Sequence, residues 1–349
     1  MTDRPLQIGI IGAGRMGITH HSIINAHPSV QVVAIADPST VMTTILSKYV
    51  KVRTYKDAAS LLKAETLDAI LVCTPPALNL EILELALAKK LHVFIEKPFL
   101  LSSADAHAIA RKYDEAGLVN QVGYVNRFND IFAHLKKLVD AGVVGKPLRF
   151  RSEMYSNTIT REQEESGWRA KHANGGGAVY EMASHAIDLV NFLFGKPDRI
   201  AGSALSSVFS KSVEDVVSSN FLYKGGLNGA LYVNWSDASY RKPTNRLEVF
   251  GKNGKLIADQ YGLKAYLVAD NPVHKLVKGW NDIYITDVFS NVDFYVRGIE
   301  FSAQLYDFVD KIQSPSSGRT RCSFADAADT LSVIDDIFRD SSDVTKGLN

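Results

Sequence analysis

The residues able to do chemistry fall into three groups. Gly12-Ala13-Gly14-Arg15-Met16-Gly17 is a G-x-G-x-x-G run between a predicted strand and a predicted helix. There the first glycine permits a tight turn and the second lets backbone N–H groups approach a pyrophosphate. The third lets the helix lie close to the sheet. Asp37 ends the next strand, 20 residues beyond Gly17, where a carboxylate accepts bonds from an adenosine ribose. That acid repels a 2′-phosphate, and Pro38-Ser39-Thr40 bring no base, so NAD is favoured over NADP. The bland alternative is a glycine turn beside a surface Asp. No G-x-x-x-x-G-K-[ST] run is present, which speaks against a P-loop nucleotidase.

Glu96-Lys97-Pro98 is the second group. It follows an apolar strand, and strand C-termini in a doubly wound sheet form the ligand crevice. A lysine there can bond a substrate hydroxyl while its charge favours the alkoxide; a solvated surface lysine is the other reading. The third group is Asn174-Gly175-Gly176-Gly177 followed by Glu181, His185 and Asp188. On an α-helix Glu181 and His185 lie about 40° apart, with Asp188 about 20° to the other side of Glu181. Two acids on its face could orient the imidazole and raise its pKa. A satisfied core histidine competes with that reading, since Ile187, Leu189 and Val190 surround it in sequence. His20 and His21 have no matching acid or cysteine cluster, so no metal site is expected. Cys73 ends a strand near the expected nicotinamide pocket and reads more simply as a small buried hydrophobe. Trp168-Arg169, in a polar loop, reads equally as a substrate-contacting segment or as packing.

These groups need an alternating scaffold, and the first 125 residues supply one. Strands are predicted at Leu6–Ile11, Val30–Ala36, Asp68–Cys73, Leu91–Ile95 and Val119–Val122. Helical spacing covers Gly14–Asn25 and Asn79–Lys89, and Ser102 with Asp105 opens a helix that stops near Gly117. Strands alternating with helices imply a parallel, doubly wound α/β sheet. After residue 125 the pattern changes. Helices at Ile131–Val139 and Ala178–Phe194 accompany strand-like stretches joined by turns such as Lys252-Asn253-Gly254. That is an α+β domain with a mainly antiparallel sheet. Two apolar helical stripes follow, one from Phe301 to Ile312 and one from Phe324 to Phe338 behind Ser323 and Asp326; both read as core faces. The division expected is 1–125, dinucleotide-binding, and 126–349, substrate-binding.

With 349 residues, two domains are the natural expectation. The 39 Lys+Arg against 38 Asp+Glu leave a net charge of +1, without the basic surplus that nucleic acid or an anionic membrane requires. Cys73 and Cys322 are the only cysteines, so no disulfide framework or four-cysteine zinc site is possible. No apolar run reaches the length of a membrane span. A cytoplasmic, reduced protein is the expectation.

The motifs, taken in order, resemble those of the glucose–fructose oxidoreductase / inositol dehydrogenase / MocA (GFO/IDH/MocA) family. Those that carry the resemblance are Gly12–Gly17, Asp37, Cys73-Thr74-Pro75-Pro76, Glu96-Lys97-Pro98, Gly123-Tyr124-Val125-Asn126-Arg127-Phe128, Trp168-Arg169 and the Gly175–Asp188 stretch. Glu-Lys-Pro is the most telling, and the resemblance covers nearly the whole chain. It implies a Rossmann domain followed by an α+β domain with a large open sheet that makes homodimer or homotetramer contacts. It implies that Lys97 is the catalytic lysine, His185 the proton acceptor and Glu181 its orienting acid. The acid stands where many members have Asp and is one methylene longer. Asn79 stands where many have His. The implied cofactor residues are Gly12, Gly14, Arg15, Met16, Gly17, Asp37, Cys73, Thr74, Pro75, Asn79, Glu96, Lys97 and Asn126. The implied substrate contacts are Lys97, Arg127, Tyr155, Trp168, Arg169 and His185, with Lys171 and Asn126 beside them. The expected reaction is hydride transfer between NAD and a secondary alcohol of a sugar, sugar derivative or polyol. An NAD-dependent glycosidase and a non-enzymatic NAD-sensing regulator are the alternatives, the latter disfavoured because Lys97 and His185 are both kept.

Overall fold

The computed structural model describes residues 4–162, 170–292, 295 and 298–347. They form two compact units: residues 1–128 with 291–328, and residues 129–290 with 329–349.

The first unit opens β1 (Leu6–Ile11), α1 (Arg15–Ile24), β2 (Val30–Ala36), α2 (Thr40–Ile45), β3 (Arg53–Tyr55), α3 (Ala58–Ala64), β4 (Ala69–Val72), α4 (Asn79–Ala88), β5 (His92–Ile95), α5 (Ser103–Glu115) and β6 (Asn120–Val122). The strands lie in the order β3-β2-β1-β4-β5-β6, and every pairing is parallel. This is the doubly wound sheet expected. β4 is buried at every residue and β1 at all but Gln7, as strands covered on both faces must be. The α5 start follows the capping logic: the Ser102 hydroxyl accepts the Asp105 N–H at 3.2 Å.

The second unit contains α6 (Asp130–Asp140), β7 (Pro147–Tyr155), α7 (Ser184–Phe194), β8 (Arg199–Ser206), β9 (Val216–Leu222), β10 (Asn228–Asn234), β11 (Thr244–Gly251), β12 (Gly254–Asp259), β13 (Gly262–Leu267), β14 (Gly279–Tyr284) and α8 (Ile285–Val288). Its eight strands run in the order β14-β13-β12-β11-β7-β10-β9-β8. All pairings are antiparallel except the parallel β10–β7 pair. α7 packs on β7 and β10, and Phe150 of β7 stacks on Phe194 of α7, centroids 5.2 Å apart. β7 buries Phe150, Ser152 and Met154 on this side and turns Arg149, Arg151, Glu153 and Tyr155 to the other.

The chain then returns. α9 (Ile299–Gln313) packs on α1 and β5 of the first unit, where Leu305, Phe308 and Val309 join Ile8, Ile23 and Phe94 in one core. α10 (Phe324–Gly347) gives its first turn to the first unit and the remainder to the second. Among the described residues no helix is long and apolar enough to cross a membrane. Neither Cys73 nor Cys322 forms a disulfide.

Candidate cofactor and catalytic sites

The three glycines of the first loop answer to three different constraints. Gly12 sits at φ +96°, and a Cβ there would stand 2.7 Å from the Cys73 carbonyl oxygen. Gly17 has no room because a Cβ would run into the Gly12 carbonyl oxygen, so α1 lies close on the end of β1. Gly14 is different: nothing lies within 4 Å of a Cβ there. It is the N-cap of α1 and provides no side-chain cap. The first-turn N–H groups of Arg15, Met16 and Gly17 have no partner within the helix, as at any helix start, and they carry the positive end of its dipole. Asp37 stands beside them. Its Oδ2 accepts the Ala13 N–H at 2.7 Å and its Oδ1 the Ser39 N–H at 2.9 Å. A carboxylate held at the end of β2, open space over Gly14 and an uncapped helix start together fit a dinucleotide: pyrophosphate on α1 and ribose at Asp37.

The Glu96-Lys97-Pro98 corner follows β5. Glu96 N–H donates to the Val72 carbonyl at 2.8 Å. Its Oε1 lies 2.5 Å from Nε2 of His20, which is fully buried on α1 and meets Phe94 edge-on at 5.1 Å. Gly123 backs the same carboxylate: a Cβ there would lie 3.1 Å from Glu96 Oε1. His20, which the sequence offers no role, is thus the link between the cofactor helix and the corner. Lys97 is half-buried and its peptide bond to Pro98 is cis.

Asn79, expected to contact the cofactor, is fully buried. Its Nδ2 donates to the carbonyls of Phe99 at 2.9 Å and Pro98 at 3.4 Å, and its Oδ1 accepts the Thr74 hydroxyl at 2.8 Å. It clasps the corner from behind. Pro75 is exposed and Thr74 half-exposed at the end of β4. Burial pushes the Cys73 thiol well up, and the charge of Glu96 adds to that, so Cys73 is a thiol and not a nucleophilic thiolate. Asn126 is half-exposed. Arg127 is only 3% exposed. Its guanidinium donates to the Arg321 carbonyl at 3.0 Å and pairs with Asp326 Oδ1 at 3.1 Å. Its charge, expected at the substrate, braces the first unit from inside.

In the second unit the glycine turn ends at Gly177 and a π-helical turn, Val179–Ala183, leads into α7. From Gly175 to Asn191 every residue is buried except Glu181 and His185. The pair therefore marks one open stripe on an otherwise enclosed helix, four residues apart. Asp188 does not share it. It is fully buried and accepts from the Thr330 hydroxyl at 3.4 Å. The regular 100° step placed it beside Glu181, but the wider π turn changes the phase between 179 and 183.

Tyr155 is another expected substrate contact. It lies on the sheet face opposite α7 and stacks on Tyr240, centroids 4.6 Å apart and planes 5° from parallel. Burial, then the charge of Glu153, pushes its phenol up to about 12. Lys171 is exposed. Trp168 and Arg169 lie outside the described residues.

The comparisons with known proteins agree with this scaffold. Residues 6–124 match the model of the oxidoreductase family with an NAD-binding Rossmann fold, and residues 132–257 match the GFO/IDH/MocA C-terminal domain. The chain belongs to the GFO/IDH/MocA family of oxidoreductases, and its residues 6–124 are an NAD-binding Rossmann domain. Among its relatives is an uncharacterized oxidoreductase, YrbE, of Bacillus subtilis (strain 168). It is 28% identical over 304 residues, covering 80% of this chain and 83% of the relative. The myo-inositol 2-dehydrogenase of Thermotoga maritima is 27% identical over 263 residues, 73% of this chain and 75% of that enzyme. A solved levoglucosan dehydrogenase, in complex with NADH and levoglucosan, superposes with a TM-score of 0.84. It covers 97% of this chain and 98% of its own at 20% identity, a likeness of fold.

Proposed function

We propose that the protein oxidises, reversibly, a secondary alcohol of a polyol or cyclic sugar derivative with NAD+, and that Lys97, His185 and Glu181 are its working side chains. The exposure of Glu181 and His185 alone along a buried helix carries this reading. A partly exposed acid and imidazole four residues apart on an otherwise buried helix are suited to proton transfer. NAD, when bound, supplies the hydride acceptor. His185 in its neutral form takes the hydroxyl proton as the alcohol is oxidised, and Glu181 beside it favours the resulting imidazolium. Lys97 donates a hydrogen bond to the same oxygen and offsets its developing negative charge. Lys171, Trp168 and Arg169 are the substrate contacts we assign.

The relatives' names support the substrate class, since one acts on myo-inositol and a structural neighbour binds levoglucosan. We place the homo-oligomer contact on the uncovered face of the eight-stranded sheet. There Phe250, Lys255, Tyr266 and Trp280 stand in cross-strand register, with the three aromatics exposed.

The test is a panel of inositols, anhydrosugars and open polyols with NAD+, followed by NADH absorbance. On the best substrate, His185→Ala and Lys97→Ala should each lower kcat by about 10² to 10⁴. NADH affinity should stay within about twofold in His185→Ala, which leaves the implied cofactor residues untouched. Wild-type kcat in either variant refutes that residue's role.

A further inference from the structure

Glu214 lies 33 residues after Glu181 in the sequence, yet it holds the start of the same helix. It is 5% exposed. Its Oε1 accepts the Val179 N–H at 2.8 Å, and its Oε2 lies 2.9 Å from His172 Nε2. Its backbone carbonyl accepts the Ala178 N–H at 2.9 Å. Gly177, at φ +99°, is forced by the same group, because a Cβ there would run into the Glu214 carboxylate. The preceding turn is closed by hydrogen bonds from Asn174 N–H and Gly176 N–H to the Lys171 carbonyl. Glu214 thus satisfies two helix-start donors, Val179 N–H with its buried carboxylate and Ala178 N–H with its backbone carbonyl, just before Glu181 and His185.

His172 is the outer half of the pair. Its ring meets Phe338 edge-on at 4.9 Å and Tyr180 at 6.3 Å. Among the described residues the titratable groups around it are Glu214 and Tyr180, with Asp335 acting on Tyr180. The hydrogen bond to Glu214 holds the His172 imidazole above its ordinary pKa; burial opposes this and the Glu214 charge assists it.

We propose that Glu214 is the positioning residue for the Glu181–His185 helix start and that His172 is its proton-sensitive latch. Protonated His172 pins the carboxylate against Val179. Neutral His172 leaves a weaker hydrogen bond, charged on the carboxylate side only, and the carboxylate gains freedom. The folded pKa is the raised one, so the charged pair is complete below the ordinary imidazole range and is lost as pH rises through the higher value. The helix start is therefore held most firmly on the acid side. The catalytic consequence rests on His185 being the proton acceptor; the clasp itself does not.

Hydrogen–deuterium exchange on the full chain separates the two. Rates in peptides covering 177–185 are compared with 216–234 as an internal reference, at about pH 6 and about pH 8.5, after correction for intrinsic exchange. In the wild type, protection of 177–185 alone should fall with rising pH. Glu214→Gln should lower it about tenfold or more at both pH values, with the reference strands unchanged. His172→Gln keeps a donor but cannot charge, and should remove the pH dependence. With an accepted polyol, Glu214→Gln should lower kcat about tenfold or more while NADH affinity holds within about twofold.

Unchanged protection of 177–185 in Glu214→Gln, or a pH dependence that survives in His172→Gln, overturns the proposal. If Glu214→Gln does not fold, the half-exposed His172 variant decides alone. If exchange behaves as expected but His185→Ala keeps wild-type kcat, the clasp stands and the assignment of His185 falls.

Discussion

Gly14 and Gly17 are three residues apart in one motif, and the structure assigns them opposite sensitivities. In Gly14→Ala the new methyl meets no atom within 4 Å, and the backbone at φ −68°, ψ −173° accepts alanine without strain. Alanine is the poorer N-cap, but it also narrows the unfolded ensemble by about 0.4–1 kcal/mol. The two effects nearly cancel, so stability should move by less than about 1 kcal/mol. A pyrophosphate seated on the first turn of α1 approaches through the open space that the methyl would enter. Loss of one hydrogen bond to a charged oxygen costs about 1.5–3 kcal/mol, or about 10- to 150-fold in Kd. Gly17→Ala places its methyl against the backbone oxygen of Gly12, which cannot rotate away. α1 must shift off β1, at about 1–3 kcal/mol for overpacking and a fall in Tm of roughly 2–10 °C. NADH fluorescence titration and thermal melting, run on both variants, give the two readouts. Wild-type NADH affinity in Gly14→Ala refutes the reasoning, and so does a fall in its Tm as large as that of Gly17→Ala.

Asp37→Ser should weaken NADH binding by about tenfold or more and raise the NADPH-to-NADH affinity ratio, as parallel titrations would show; an unchanged ratio removes Asp37 from the ribose site. Tyr155→Phe should leave kcat and KM within about twofold, because the phenol lies on the sheet face away from α7. Arg127→Met should lower stability by about 1–3 kcal/mol with KM unmoved; a raised KM without a fall in Tm restores it as a substrate contact. Asp215 is fully buried and accepts from the N–H groups of Val208, Phe209 and Ser210, the Ser210 hydroxyl and the Trp235 indole. Burial pushes its carboxyl up, but those hydrogen bonds outweigh it and hold the group below the ordinary carboxylate range. Its contribution to stability is complete above the unfolded value of about 3.9 and lost as pH falls through the lower folded one. The Tm gap between wild type and Asp215→Asn should therefore narrow as pH falls below about 4; a constant gap contradicts the assignment.

Local pattern alone determined a good deal of this protein. The parallel sheet, the glycine loop between β1 and α1, and Asp37 at the end of β2 are legible because each rests on a repeat or a spacing within a few tens of residues. Burial on both faces leaves continuous apolar strands, and the tight turn at Gly12 and the close approach at Gly17 admit only glycine. β14 was not legible, because all its residues are half or fully exposed and no apolar alternation marks it.

Tertiary structure decided which way side chains face and whom they meet. Tyr155 and Met154 are neighbours in sequence, and only the packing of α7 on one side of β7 separates their surroundings. Asp188 left the Glu181–His185 stripe because a π turn shifted the helical phase, which regular spacing cannot anticipate. His20 with Glu96, and Glu214 with Val179, join residues 76 and 35 apart. The return of α9 to the first unit likewise depends on a long chain closure. Such partners leave no local periodicity behind. Loop closure costs little more free energy for one distant partner than for another, so the choice among them belongs to the packed core.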